Sequence, residues 1–304
     1  MKVSVVIPTR GRPSELSTLL SALQRQTRVL KSVVVIDSSE DSTTKDLVLS
    51  QFPEVEYLYS AIASAAVQRN LGLDFISRNR PDFVVFLDDD VVPSDTYISD
   101  LLSNFSDASI LGVSGVAVEV MPKRTSLNES KHAERFKRLF LLASRKQGKL
   151  LRSGVPIPVS SHSVEKLETE WLIGCSAWRY KTVKDVRFEV DFKGYSLGED
   201  VIFSYRVSKL GRLIVDPQVK LPHSESKTNR PGQFLYWRKW MNYRWRLCKL
   251  GPVSEIRIIA FFWSSLGQFI INTGKVLSLR KGAMGGIFGI MFGLADVLGL
   301  TREN

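Results

Sequence analysis

Cysteine is nearly absent from this 304-residue chain: Cys175 and Cys248 are the only two. Two thiols cannot build a disulfide framework or a cysteine-based zinc cluster, and such sparing use suits a reducing compartment. Long apolar runs are also missing. Val3–Ile7 ends at Pro8, too soon for a signal peptide. Ile258–Ile271 falls short of the ~20 residues that span a bilayer, and Gly282–Leu300 carries six glycines and Asp296. Internal repeats and low-complexity tracts are absent. What remains is 44% apolar and 24% charged, the composition of a globular chain with a sizeable core. The length fits one large domain, or one domain with a smaller appendage.

The net charge of +11 is unevenly distributed. Residues 1–118 hold 10 Lys and Arg against 15 Asp and Glu, whereas the rest hold 32 against 16. A basic half of this kind predicts a polyanionic partner, membrane or nucleic acid.

The first ~118 residues alternate in pattern. Val3–Ile7, Val33–Ile36, Val55–Tyr59, Phe83–Leu87 and Leu111–Val118 read as strands. Pro13-Ser14-Glu15 opens a helix with Leu16, Leu19, Leu20 and Leu23 on one face; further helices are predicted over 63–78 and about 95–105, the latter capped by Ser94. Strands alternating with helices predict an α/β fold: a mostly parallel, doubly wound sheet with helices on both faces. Residues 121–168 read as a basic insertion with a helix around 130–146. Residues 170–178 are strand-like, and 199–210 helical. Expected domains are therefore 1–225, carrying the insertion, and 226–304, a helical extension that is basic, aromatic and apolar.

The strongest chemical signal is Asp88-Asp89-Asp90, directly after the strand Phe83–Leu87. Ligands of open parallel sheets bind at the carboxyl ends of strands. Three carboxylates repel one another there until a divalent cation and phosphate join them, and hard oxygen ligands suit Mg²⁺ or Mn²⁺. A solvated, helix-capping turn is the bland alternative. Other strand ends carry matching chemistry. Asp37 follows Val35-Ile36, as acids that bind a base or ribose do, though an Asx turn would also place it there. Pro8-Thr9-Arg10-Gly11-Arg12 sets two arginines and a hydroxyl at the first strand end, and Arg69 adds a planar donor suited to a diphosphate. Gly198-Glu199-Asp200 opens a helix, where acids serve either as dipole caps or as a general base.

Together these segments resemble a family 2 glycosyltransferase of the GT-A type. The matching elements are Val5-Val6-Ile7-Pro8-Thr9, Asp37–Thr43, Ala66–Gly72, Phe86–Pro93, Trp171–Arg179 and Gly198-Glu199-Asp200, in family order across about 2–216. The resemblance implies a metal-dependent, inverting transfer of sugar from a nucleotide-diphosphate donor to an acceptor hydroxyl. It puts Pro8, Thr9, Arg10 and Asp37 near the nucleotide, Arg69 near the diphosphate, and Asp88 and Asp89 near the ribose or donor sugar. Asp90 contacts Mg²⁺ or Mn²⁺, with His223 completing metal or phosphate contacts. Asp200 is the expected base and Glu199 the second choice. Asp185–Asp191 departs from the Gly-Gly-Phe-Asp-Glu run usual in the family, which leaves the acceptor side undefined.

Residues 226–254 contain no acid, seven Lys and Arg, and Phe234, Tyr236, Trp237, Trp240, Tyr243 and Trp245. Aromatics beside cations favour a membrane interface with anionic headgroups. The expected partners are thus a nucleotide-sugar donor, a carbohydrate or lipid-linked acceptor, and an anionic membrane surface, with the protein peripheral on the cytoplasmic face. An apolar stripe could instead pack on the first domain or a second subunit of a homo-oligomer. Three rival classes fit the sequence less well. A nucleotidyltransferase would want a Gly-rich, Lys-bearing loop after the first strand; a nucleic-acid binder would want a recognisable motif; a sugar-nucleotide binder without catalysis would not need both acid clusters intact.

Overall fold

The computed structural model describes residues 1–119, 131–190, 197–224, 231–250, 255–279 and 282–301. Lys123, Arg124, Asp191 and Gly194-Tyr195-Ser196 lie outside them. The chain divides into two compact units: Met1–Arg124 with Val159–Thr228, and Thr125–Pro158 with Asn229–Asn304. The sequence reading put the basic segment 121–168 in the first domain; most of it, 125–158, groups with the C-terminal helices.

The first unit is built on one eight-stranded sheet. Its elements run β1 (Val3–Thr9), α1 (Pro13–Gln24), β2 (Ser32–Asp37), α2 (Thr43–Gln51), β3 (Glu56–Tyr59), α3 (Ala65–Ile76), β4 (Phe83–Phe86), α4 (Tyr97–Ser103) and β5 (Ile110–Glu119). The second unit contributes α5 (Lys131–Leu139), after which β6 (Leu167–Thr169), β7 (Ser176–Arg179), the short α6 (Tyr180–Val183), α7 (Glu199–Val207) and β8 (Arg212–His223) complete the sheet unit. The strand order is β3-β2-β1-β4-β7-β5-β8-β6. β1, β2, β3 and β4 pair in parallel, as do β5 and β8. β7 runs antiparallel between β4 and β5, and β6 antiparallel to β8. The sheet is therefore mostly parallel, as expected, with β7 and β6 reversed.

Burial on both faces explains the continuous apolar strands. One face packs Val3, Val5, Ile7, Val35 and Val85 against α1 and α4 through Leu16, Leu19, Leu20 and Ile98. The other packs Val6, Val34, Ile36, Val84 and Phe86 against Leu73, Ile76, Phe188 and Phe203. α3 lies close on that second face because Gly72 leaves the room: a Cβ there would stand 2.3 Å from Val6 Cγ1. This approach brings residue 69 to the strand ends.

In the second unit, α8 (Gln233–Lys249), α9 (Glu255–Leu277) and α10 (Ala283–Val297) pack around Met241, Cys248, Phe261 and Ile290. Asp296, the one acid of the Gly-rich stretch, is paired: Arg238 donates to its two oxygens at 2.7 and 2.8 Å, and Asn242 and Thr301 add further bonds. Among the described residues no helix is long and apolar enough to cross a membrane.

Candidate active site

The carboxyl ends of β1, β2 and β4 converge, and the chemistry gathers there. Gly11 has φ 61°, in the left-handed region open to glycine, so the chain turns sharply between two arginines. The turn separates their fates. Arg10 stays half in solvent and pairs with exposed Glu40 at 2.9 Å. Arg12 turns inward and donates to Asp89 Oδ1 at 2.9 Å, with Asp90 Oδ2 at 3.5 Å. Thr9 Oγ1 donates to the other Asp89 oxygen at 2.7 Å. Burial pushes the Asp89 carboxyl up to about 6, even though Arg12 and Thr9 oppose it. The sequence sets both arginines at this strand end and the resemblance assigns only Arg10 to the nucleotide; nothing short of the turn geometry distinguishes them.

Asp37 is fully buried, and both its oxygens are engaged. Oδ1 accepts from the Ser39 backbone at 2.8 Å and from its hydroxyl at 2.5 Å; Oδ2 accepts from Tyr57 at 2.9 Å. Gln68, also unforeseen, ties α3 to two strand ends by donating to the carbonyls of Thr9 at 2.8 Å and Ile36 at 2.6 Å. Its amide and Arg69 sit side by side in sequence, so one helix turn both fixes the strands and presents a guanidinium. Pro8 lies buried within β1.

Arg69 is 2% exposed and reaches two acids. Nη2 donates to Asp88 Oδ1 at 2.6 Å and Nη1 to Glu199 Oε1 at 2.8 Å. Burial works against its charge, but Asp88, Glu199 and Asp200 outweigh that and hold it more firmly protonated. Gly174 permits the arrangement, since a Cβ there would come 3.0 Å from Arg69 Nη2. Residues separated by more than a hundred positions thus form one charged assembly. The Glu199-Asp200 pair starts α7 after Gly198, whose φ is 79°. Burial raises the Glu199 carboxyl to about 7, opposed by Arg69 and reinforced by Asp200; burial raises Asp200 as well. The two acids differ in access. Glu199 is buried and pinned by Arg69, whereas Asp200 is only partly buried and accepts from the Val201 amide at 2.8 Å.

Asp90 and His223 meet at the end of β8, with Nε2 and Oδ1 3.0 Å apart. Backbone bonds lock the meeting: Ser224 N donates to Asp90 O at 2.9 Å and Val92 N to Pro222 O at 3.0 Å. Among the described residues no three His, Cys, Asp or Glu side chains cluster as a metal cage. A carboxylate oxygen beside an imidazole nitrogen nevertheless fits a Mg²⁺ or Mn²⁺ ion that takes its other ligands from substrate phosphates and water.

Residues 4–166 match the family described as Glycosyl transferase family 2. Among curated proteins, the pre-mycofactocin glycosyltransferases of Mycobacterium tuberculosis strains CDC 1551 / Oshkosh and H37Rv are 30% identical over 224 residues, which is 73% of this chain. The chain spans 42% of the length of those relatives. Among solved structures, TarS of S. aureus superposes with a TM-score of 0.57 at 16% identity, covering 99% of this chain and 83% of that one. The mannosyltransferase PcManGT of Pyrobaculum calidifontis, solved with GDP-Man and Mn²⁺, gives 0.56 at 15% identity, covering 98% and 86%. At such identities the likeness establishes the fold, which is GT-A.

Proposed function

We propose a function from one premise: the chain belongs to glycosyl transferase family 2. The reading is an inverting transfer of a sugar from a nucleotide-diphosphate donor to an acceptor hydroxyl, in the assembly of a polysaccharide, glycolipid or glycoprotein. The observation that carries it is Arg69, which joins the strand-end acids to the Glu199-Asp200 helix start through bonds of 2.6 and 2.8 Å. An acid cluster suited to a donor diphosphate and an acid suited to an acceptor hydroxyl thereby belong to one site.

Asp200 is the general base, because Glu199 is committed to Arg69 while Asp200 is the more open of the two. It takes the acceptor proton as the hydroxyl oxygen bonds to the anomeric carbon, and the bond from that carbon to the diphosphate oxygen breaks on the opposite face. The leaving nucleotide departs as an anion and needs no protonating acid. Thr9, Asp37 and Arg10 flank the nucleotide, and Asp88 and Asp89 the ribose or donor sugar. Arg69 lies near the diphosphate and also positions the acids, since its Nη groups donate to Glu199 and Asp88. Arg12 sets a second cation among the acids expected at the donor, through Asp89 and Asp90. Asp90 and His223 would hold Mg²⁺ or Mn²⁺, which when bound neutralises charge developing on the leaving diphosphate.

The 1–225 domain and the 226–304 extension keep separate roles in this reading, with 125–158 working beside the extension. That second unit holds 19 Lys and Arg against five Asp and Glu. α9 also exposes Ile259, Phe262, Trp263, Leu266 and Ile270 at helical spacing. Cations with exposed aromatics favour an anionic leaflet, so the enzyme works peripherally on the cytoplasmic face, on a carbohydrate or lipid-linked acceptor.

The test is Asp200→Asn, with donor binding followed by thermal shift across nucleotide sugars, with and without Mn²⁺. Turnover should fall by about 10²–10⁴-fold, while the shift given by the preferred donor stays. Wild-type turnover in the variant would overturn the base assignment. A panel without any stabilising nucleotide sugar would overturn the donor class.

A further inference from the structure

The second unit contains a groove that sugar transfer does not use. Its volume is about 430 Å³, and it is lined by Leu141, Leu151, Arg152, Ile259, Ala260 and Trp263. That size falls in the range of small-molecule sites, roughly 300–1,000 Å³. The lining is apolar apart from Arg152.

The walls are built rather than incidental. One is a hairpin in which Leu151 N donates to Val155 O at 2.9 Å and Ile157 N to Lys149 O at 2.8 Å. Its tip is pinned by Arg244, a fully buried guanidinium that donates from Nε and Nη2 to Ser153 O at 3.2 and 2.9 Å, and also to Ser264. Burial draws the Arg244 guanidinium down to about 10. Cys248 Sγ donates to Arg152 O at 3.4 Å. Ser153 Oγ in turn fixes the carbonyl of Leu141 at 2.7 Å. Leu141 has φ 51°, a left-handed conformation uncommon for a bulky side chain and found where surrounding structure enforces it. The other wall is α9, where Trp263 stacks on Phe140 at 4.6 Å and donates to Leu139 O at 2.9 Å.

Two features identify the occupant. Ile259 and Trp263 belong at once to the groove and to the exposed apolar face of α9, so groove and face are continuous. At the rim, Arg152 ends the run Arg145-Lys146-Gln147-Gly148-Lys149-Leu150-Leu151-Arg152, which contains four cations and no acid. An apolar slot opening onto an apolar face beside such a run matches a hydrocarbon tail with an anionic head.

We infer that this groove takes the chain of a single phosphate-bearing lipid, with its phosphate beside Arg152. The inference rests on the reading that the second unit lies against a membrane, and it narrows that reading from a surface to a seat for one lipid.

Trp263 supplies the measurement. The full-length protein is titrated with dodecyl phosphate brominated on its chain, below the concentration at which it forms micelles, and tryptophan quenching is followed. Saturable quenching is expected, and Trp263→Phe should remove most of it. Ala260→Phe fills the groove. Ile259→Asp places a charge at a residue 66% exposed, where folding is not at stake. Each should weaken binding about tenfold, equivalent to losing contact with about two methylenes, while Leu49→Asp on α2 leaves it unchanged. Inorganic phosphate should not compete, and an equally brominated dodecyl maltoside should bind more weakly. Unchanged affinity in both groove variants, or equal affinity for the maltoside, overturns the inference. Flotation on anionic vesicles separates the two ideas: flotation without quenching sinks the groove alone, and quenching without flotation sinks the membrane reading alone.

Discussion

Glu199 is the residue on which the site's pH behaviour turns. Its carboxyl sits near 7 because it is buried, and Arg69 only partly offsets that burial. In the unfolded chain a glutamate titrates near 4.3. Between those values the folded protein keeps a proton that the unfolded chain releases, so stability falls as pH rises through the window and levels off above about 7. Asp200 is raised too and contributes with the same sign, and the pair titrates as a unit. Glu199→Gln removes one of the two groups and relieves the other of a like charge. The loss of stability between about pH 5 and about pH 8 should therefore be smaller in the variant than in the wild type, measured by urea unfolding. The acid limb of kcat/KM should move to lower pH in the same variant. A loss as large as that of the wild type would remove Glu199 from this role. The acids themselves were legible, because carboxylates after apolar strands and at a helix start are visible in sequence. Their partners were not: Arg12 and Arg10 are equivalent in the string Thr-Arg-Gly-Arg, and only the turn at Gly11 sends one to Asp89 and the other to solvent.

At the scale of elements, β1, β2 and β4 were readable because they are buried in the middle of the sheet and so run continuously apolar. Their directions were not, since an apolar run reads alike both ways, and the reversal of β7 leaves no mark in its sequence. The helix expected over 130–146 ends at Leu139 because the chain turns left-handed at Leu141. The glycines of α10, which count in the sequence against a membrane span, form its packing surface. A Cβ on Gly289 would lie 2.3 Å from Phe234 O and 2.8 Å from Trp237 Cβ, and one on Gly293 would lie 2.6 Å from Met241 Cβ. Small residues at this spacing let the α8 backbone come close, as in Gly-xxx-Gly pairs. Two substitutions separate propensity from packing. Gly274→Ala on α9 meets nothing within 4 Å, so it should stabilise by about 0.5–1 kcal/mol. Gly289→Ala gains the same propensity but forces two helices apart, at a cost of about 1–3 kcal/mol, and should destabilise on balance. Thermal melts of the two proteins decide it, and equal effects would mean that α10 does not pack on α8 through this face.

For the whole molecule, charge and apolar surface divide along the same line. With 19 cations and five acids in the second unit, the first is left with 23 and 26, so the net +11 is the sum of a basic unit and a slightly acidic one. The overall asymmetry was visible in composition. The membership of 125–158 was not, because a segment inserted between β5 and β6 carries no local mark of the elements it packs with far along the chain. The basic unit also carries exposed aromatics and methionines: Phe262 and Trp263 on α9, and Met284, Phe288, Met291 and Phe292 on α10. Charge alone would attract DNA and anionic vesicles alike, whereas charge beside apolar faces favours lipid, since each cation near an anionic surface contributes about 1 kcal/mol and buried apolar area adds to it. Flotation should therefore be strong with phosphatidylserine-containing vesicles, weak with phosphatidylcholine alone, and only partly reversed by salt, because the apolar contribution is not screened. Replacing exposed Leu266 and Ile270 with Asp should reduce flotation while donor binding in the first unit stays intact. Complete release by moderate salt, together with retention on DNA, would mean that the apolar face stays out of the bilayer and that the basic unit serves a nucleic acid instead.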